Sequence, residues 1–237
     1  MKTTIITGAS KGIGRATASF LLENDHRVIN LSRTPCSLSG VENIALDLAS
    51  AHLAEQLADQ LLSLLDYHPH QPGQLSLIHN AAMMENDNAL ETDAKSLRLV
   101  LETNLVAPHI LNGSLIPLMA PGSSIIYIGS TLAEKAVANA FSYSVSKHAM
   151  VGMMRACCQD LAGTGIHTAC ICPGFTDTEM LRAHVGGDEA TLSAIAALSA
   201  FNRLIEPEEI ARCIYFAMNT PALNGSLIHA NLGQIES

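Results

Sequence analysis

Short apolar runs alternate with segments of helical periodicity from one end of the chain to the other. The strand-like runs are Thr3–Thr7, Val28–Leu31, Ile44–Leu46, Leu75–His79, Ser124–Ile128, His167–Ile171 and Leu227–Ala230. Between them, apolar residues recur at helical spacing over Ile13–Leu22, Leu53–Leu65, Leu97–Met119, Tyr143–Leu161 and Glu208–Met218. A strand that is apolar at nearly every position is buried on both faces, which a parallel sheet covered by helices on both sides provides. Crossovers between parallel strands are right-handed, so the expected fold is α/β, a doubly wound parallel sheet of seven strands.

No internal repeat or low-complexity linker interrupts the pattern, and 237 residues suffice for one large core. Residues 1–237 are therefore expected to form a single domain. The longest part without a strand, Phe175–Asn202, follows a late strand. In such a sheet it is placed to cover the ligand crevice at the strands' carboxyl ends as a small helical lid.

Composition narrows the partners. The formal charge is −9, from 13 basic and 22 acidic residues, and a negative field disfavours nucleic acid. A small anionic cofactor can still be held by a local cluster of amides and cations. There is no run of about 18 apolar residues to cross a membrane, and the opening Met1–Thr7 is too short for a signal peptide. None of the six cysteines (Cys36, Cys157, Cys158, Cys170, Cys172, Cys213) forms a C-x-x-C pair. They read as small core residues of a cytoplasmic protein. His68-Pro69-His70-Gln71-Pro72-Gly73 reads as a turn-rich loop, without further ligands at spacings that suit a metal.

The first strand runs into Thr7-Gly8-Ala9-Ser10-Lys11-Gly12-Ile13-Gly14-Arg15, followed at once by a helical pattern. Glycines let a backbone turn tightly against a pyrophosphate, and free N–H groups at a helix start hold the anion. The spacing is G-x-x-x-G-x-G rather than G-x-G-x-x-G, and by itself it equally describes an ordinary turn. The second strand ends Asn30-Leu31-Ser32-Arg33, with no carboxylate to hydrogen-bond a ribose diol. Arg33 can make a bidentate contact to a phosphate, Ser32 can add a hydroxyl, and Lys11 or Arg15 can add charge. These features favour NADP(H) over NAD(H).

Strand five ends in Gly129-Ser130, and thirteen residues after Ser130 comes Tyr143-Ser144-Val145-Ser146-Lys147 at the start of a helical pattern. The four-residue spacing places Tyr143 and Lys147 on one helix face, one turn apart. A phenol titrates near pH 10 (approximately), too high for a base at neutral pH, and a neighbouring ammonium together with a cationic cofactor ring is expected to lower it.

With these residues in view, the chain resembles the short-chain dehydrogenase/reductase family over essentially its whole length. The Thr7–Gly14 turn matches that family's cofactor motif, and His79-Asn80-Ala81-Ala82 its N-N-A-G segment. Asn104, Ser130, Tyr143 and Lys147 match its catalytic residues in order and spacing, and Pro173-Gly174-Phe175-Thr176-Asp177-Thr178 its P-G-x-x-x-T stretch. Arg203–Ala211 and Asn224–Leu227 resemble its C-terminal elements.

The resemblance implies a Rossmann-type sheet and a hydride transfer between NADP(H) and a carbonyl/alcohol pair, with carbonyl reduction the favoured direction. Tyr143 would be the acid/base, Ser130 would orient the carbonyl, Lys147 would hold the nicotinamide ribose, and Asn104 would position a water. The cofactor would be held by Gly8, Ser10, Lys11, Gly12, Ile13, Gly14, Ser32 and Arg33. Asp47 and Leu48 would line the adenine pocket, Asn80 and Ala81 would pass the adenosine ribose, and Tyr143, Lys147, Pro173, Gly174, Thr176 and Thr178 would lie at the nicotinamide end. It also implies a homodimer or homotetramer, to which the Ala149–Met154 stretch can contribute.

Ala82 and His79 depart from N-N-A-G, and Leu232-Gly233 stands where many relatives have a glycine pair. Met83, Met84, Leu132, Val137, Phe175, Met180 and Val185 are candidates for an apolar substrate wall, with Glu134, Lys135 and Arg182 as polar candidates at its opening. Three other readings remain at this stage: an NAD-preferring alcohol dehydrogenase, a dinucleotide sensor without turnover, and a nucleotide-binding scaffold with a methyltransferase-like sheet.

Overall fold

A computed structural model describes residues 2–64 and 73–235. Most of the His68–Gly73 loop lies outside the described residues. The chain runs β1 (Thr3–Thr7), α1 (Gly12–Glu23), β2 (Arg27–Ser32), β3 (Val41–Ala45), α2 (Leu53–Leu64) and β4 (Leu75–His79). Next come α3 (Ala94–Leu101), a π turn (Glu102–Val106), α4 (Ala107–Leu115), β5 (Ser124–Ile128), α5 (Phe141–Asp160) and β6 (His167–Pro173). It ends with α6 (Glu179–His184), α7 (Glu189–Ala196), α8 (Pro207–Met218) and β7 (Ser226–Ala230).

The seven strands form one sheet in the order β3-β2-β1-β4-β5-β6-β7, and every pairing is parallel. This is the Rossmann-like α/β arrangement that the alternating pattern predicts. Side chains alternate across each strand, so successive apolar residues feed two cores. Ile5, Leu77, Ile125 and Tyr127 pack on one face with Leu57 of α2, Leu111 of α4 and Met150 of α5. Ile6, Ile78, Ile126 and Ile171 pack on the other with Leu21 of α1 and Ile210 and Ile214 of α8. Of the Ala149–Met154 stretch, Met150, Val151 and Met154 are buried in the core, whereas Gly152 is exposed.

The helix expected over Leu97–Met119 is not continuous. It becomes α3, the π turn, α4 and a 3-10 turn at Ile116–Leu118. Pro108 lacks the N–H that the carbonyl of Asn104 would meet in an α-helix, so the regular ladder cannot pass this point.

The topology fixes where a ligand fits. From β1 the chain builds outward through β2 and β3, then returns to pair β4 against the other side of β1. The loops leaving β1 and β4 diverge at this switch point and open a crevice at the strands' carboxyl ends.

Candidate active site

The crevice is a cleft of about 810 Å³. Its first wall is the turn after β1. Gly8 (φ 71°) and Gly12 (φ 54°) adopt the left-handed backbone that this turn needs. A Cβ on Gly14 would stand 2.3 Å from the Gly8 carbonyl oxygen and 2.5 Å from Asn80 Nδ2. Gly14 therefore lies beneath the turn as a packing glycine, and it is absent from the cleft lining that includes Gly8, Ser10, Lys11, Gly12 and Ile13.

Buried hydrogen bonds hold the turn. The Ala9 N–H donates to Asn30 Oδ1 at 2.8 Å, and Asn80 Nδ2 donates to the carbonyls of Thr7 and Gly8 at 3.0 Å each. Thr7 Oγ1 accepts from the N–H groups of Asn80 (3.0 Å) and Ala81 (2.9 Å). The loops leaving β1 and β4 are thus clasped together. Side chains cap the starts of α3, α6 and α7, but the Lys11 side chain makes no such cap on α1. The first N–H groups of α1 therefore remain available beside the cleft, which suits a diphosphate.

Beyond the turn, Ser32, Arg33 and Thr34 line the cleft at the end of β2, and Asp47 and Leu48 line it after β3. Arg15 lies on the exposed face of α1 and is not part of the lining, so Lys11 is the cation of the turn that faces the cleft. Glu179 Oε2 stands 3.6 Å from the position of a Cβ on Gly12, bringing the start of the 175–202 segment against the glycine turn.

The second wall holds Ser130, Tyr143 and Lys147. Asp87 Oδ1 accepts from the Ser142 N–H at 3.1 Å, pinning the start of α5, where Tyr143 lies in the first turn. Lys147 Nζ sits 5.3 Å from the centroid of the Tyr143 ring and donates at 2.6 Å to the carbonyl of Ile128, the last residue of β5. Ser130 Oγ accepts the Leu132 N–H at 3.1 Å, leaving its own proton to be donated. Both titratable groups are buried. Burial pushes the Tyr143 phenol up to about 12, partly offset by a hydrogen bond to Ser130, and pulls the Lys147 ammonium down to about 8. Among the protein's own groups, desolvation is the largest effect on the phenol and the Ser130 hydrogen bond is what opposes it.

Asn104 lies in the π turn, fully buried. Its Oδ1 accepts from the Met83 N–H (2.7 Å), and its Nδ2 donates to the Met83 carbonyl (2.8 Å) and Ser146 Oγ (2.9 Å). It stands behind the cleft wall, and its amide holds the loop after β4 against α5.

The remaining residues sort clearly. Asn80, Ala81, Pro173, Gly174, Thr176 and Thr178 all line the cleft, as do the seven apolar candidates Met83, Met84, Leu132, Val137, Phe175, Met180 and Val185. Glu134, Lys135 and Arg182 do not line it. Glu134 pairs with His229 at 2.8 Å, and Arg182 is held by Asp177 (2.7 Å) and Glu189 (3.1 Å), an ion-pair staple joining α6 and α7. Ala82 faces the cleft. His79 lies beneath it, with Nε2 2.8 Å from Asn112 Oδ1. Leu232 has φ 53°, the conformation that a glycine would adopt more readily. The sequence reading missed Thr34, Leu99, Thr103, His184, Ile195 and Gln234, which also line the cleft. His184 and Ile195 fall within the Phe175–Asn202 segment expected over the crevice, and the others carried no local signal of their own.

The family model described as enoyl-(acyl carrier protein) reductase matches residues 8–234. The 3-oxoacyl-(acyl-carrier-protein) reductase FabG of Salmonella typhimurium is 29% identical over 241 residues, covering 98% of this chain and 96% of the relative. A crystal structure of a short chain dehydrogenase family protein from Francisella tularensis has a TM-score of 0.87 at 26% identity, with 98% of each chain covered. A structure from Beutenbergia cavernae, assigned as an NAD(P)-dependent gluconate 5-dehydrogenase with NADP bound at low occupancy, has a TM-score of 0.86 at 27% identity, covering 98% of this chain and 96% of that one. Among the described residues, no helix is long and apolar enough to cross a membrane, and no group of three or more His, Cys, Asp or Glu could hold a metal ion.

Proposed function

The chain belongs to the short-chain dehydrogenase/reductase family, and from that membership we propose that it is an NADP(H)-dependent carbonyl reductase with Tyr143 as proton donor and acceptor. One observation carries the proposal. Ser130, Tyr143 and Lys147 converge on the same cleft as a glycine turn and a helix start without a side-chain cap. When bound there, the dinucleotide supplies hydride at its nicotinamide ring.

The residues divide the remaining work. The N–H groups at the start of α1 and the Lys11 ammonium hold the diphosphate. Arg33 and Ser32 take the extra phosphate that distinguishes NADP(H), with no carboxylate at the end of β2 to repel it. Asp47 and Leu48 border the adenine, Asn80 and Ala81 the adenosine ribose, and Pro173, Gly174, Thr176 and Thr178 the nicotinamide.

The substrate carbonyl accepts hydrogen bonds from Ser130 and Tyr143, which stabilise negative charge as it develops on oxygen. Tyr143 then gives up its proton. A phenol held at about 12 is fully protonated at neutral pH, which suits the donor in reduction. Lys147, oriented by the Ile128 carbonyl, stabilises the phenolate left behind and contacts the nicotinamide ribose. Asn104 acts on this arrangement by positioning Met83 and Ser146. Residues 175–202 cover the substrate, with Phe175, Met180 and Val185 forming its apolar roof.

The test is a paired screen with NADPH and NADH against ketones, aldehydes, quinones and acyl thioesters. NADPH-driven reduction of at least one carbonyl class, with NADH much weaker, is the expected result. Preference for NADH moves the assignment to an NAD-linked dehydrogenase, and the absence of turnover with both cofactors across the panel overturns the enzyme reading.

A further inference from the structure

Lys11 is not the only charged side chain beside the glycine turn. Glu179 also lines the cleft, and its Oε2 stands 3.6 Å from the position of a Cβ on Gly12, the first residue of α1. An anion seated at the turn therefore meets a carboxylate as well as an ammonium. The Glu179 side chain is exposed, so a ligand in the cleft can reach it.

No neighbour takes up this charge. Arg182 lies three residues further along α6, the spacing at which a helix pairs opposite charges. Its guanidinium instead donates twice to Asp177, from Nε to Oδ1 at 2.7 Å and from Nη2 to Oδ2 at 2.9 Å, and once to Glu189 at 3.1 Å. Among the described residues, no cation comes within ion-pair distance of Glu179.

The backbone around Glu179 is fixed. The Asp177 N–H donates to the Ile205 carbonyl at 2.9 Å, and the Ile205 N–H donates to the Phe175 carbonyl at 2.9 Å. Thr178 Oγ1 caps α6 by accepting the Leu181 N–H at 3.3 Å, and its Cγ2 stands 3.2 Å from the same Cβ position on Gly12. The carboxylate is thus presented to the turn from a tied segment, and rotation of its own side chain is its simplest way to withdraw.

We infer that Glu179 determines cofactor affinity by repulsion: it opposes the diphosphate that the start of α1 and Lys11 attract, and so keeps the dinucleotide exchangeable between turnovers. This rests on the oxidoreductase reading above, which seats the diphosphate at that turn. A reductase releases its oxidised cofactor after every hydride transfer, and release limits the rate of many such cycles. An exposed like charge beside the seat lowers affinity through an interaction that salt screens. The diphosphate is common to NADP(H) and NAD(H), so the effect falls on both alike, unlike that of Arg33.

The test titrates the full chain with NADPH and with NADH, by fluorescence, at about 0.02 M and at about 1 M salt, where the Debye length shrinks to about 3 Å. Glu179→Gln keeps the shape of the side chain and removes its charge. At low salt it is expected to tighten both cofactors by about three- to tenfold, and at high salt the gain over the parent falls to within about 1.5-fold. Glu179→Asp keeps the charge and should stay within about twofold of the parent at both salt concentrations. Unchanged or weaker binding in Glu179→Gln overturns the assignment. So does a gain confined to one cofactor, a gain that persists undiminished at high salt, or an equal gain in Glu179→Asp. Each of these leaves the reductase reading intact, whereas binding of neither dinucleotide by the parent overturns the assignment together with that reading.

Discussion

The Lys147 ammonium lies 5.3 Å from the centre of the Tyr143 ring and is anchored at 2.6 Å to the Ile128 carbonyl. Two side chains one helical turn apart are thereby tied to the end of the strand that delivers Ser130. Tyr143→Phe removes the transferable proton and keeps the ring. It is expected to lower kcat by about 100-fold or more while the NADPH dissociation constant stays within about twofold. Steady-state kinetics with a fluorescence titration of NADPH check both halves. Near-normal turnover in the variant contradicts the role of Tyr143.

Arg33 is exposed at the end of β2, beside Ser32 and Thr34 in the cleft lining. A guanidinium bound to a phosphate makes charge-assisted hydrogen bonds, whereas a ribose diol gives it far less to hold. Arg33→Ala is therefore expected to weaken NADP(H) by about 10-fold or more and NAD(H) by less than about threefold. Parallel titrations of the two cofactors measure the difference. An equal loss removes Arg33 from the phosphate site.

The strand pattern was legible because buried parallel strands leave runs of Ile, Leu and Val that few other structures need. Tyr143, Lys147 and Ser130 were legible because helical spacing and a strand end fix their directions. The break at Glu102–Val106 was hidden, since a π turn keeps the apolar stripe running, although Pro108 was a readable signal. The upward push of burial on the Tyr143 phenol was not legible, because desolvation depends on what surrounds the ring, and spacing carries no record of that. Arg182 looked like a cleft residue by position, but Asp177 and Glu189 take it up. Gln234 reaches the cleft lining because the tail folds back on the end of the 175–202 segment at Ser199, a long-range contact with no local signature.

Gly14 tests the packing under the phosphate turn. A methyl group there meets the Gly8 carbonyl at 2.3 Å and Asn80 Nδ2 at 2.5 Å, and both belong to the clasp between the loops after β1 and β4. Neither can yield without loosening the turn. Gly14→Ala is expected to destabilise the fold by about 1–3 kcal/mol, in the range of overpacked cores. It should also weaken NADPH binding, although Gly14 does not line the cleft. Chemical denaturation and cofactor titration report the two effects, and a variant as stable as the parent with unchanged affinity shows that the turn is looser than described.

His79 provides an acid-sensitive element under the same clasp. Its ring is fully buried, tilted by 32° to that of Tyr127 with the centroids 4.9 Å apart, with Nε2 on Asn112 Oδ1 and Nδ1 without a partner. Burial pulls its pKa from 6.5 down to about 4, with the Asn112 contact opposing the shift. Between these values the unfolded chain binds a proton that the folded protein refuses. The stabilising contribution is complete above pH 6.5 and is lost as pH falls toward 4, by up to about 3 kcal/mol. His79→Asn has no titrating ring, so its stability should fall less steeply over that window. Subtracting its denaturation curves from the parent's cancels the contributions of the carboxylates and of His26, which lies elsewhere against Thr4. Parallel losses in the two proteins from pH 6.5 to 4 would mean that the buried imidazole accepts its proton without disturbing the core.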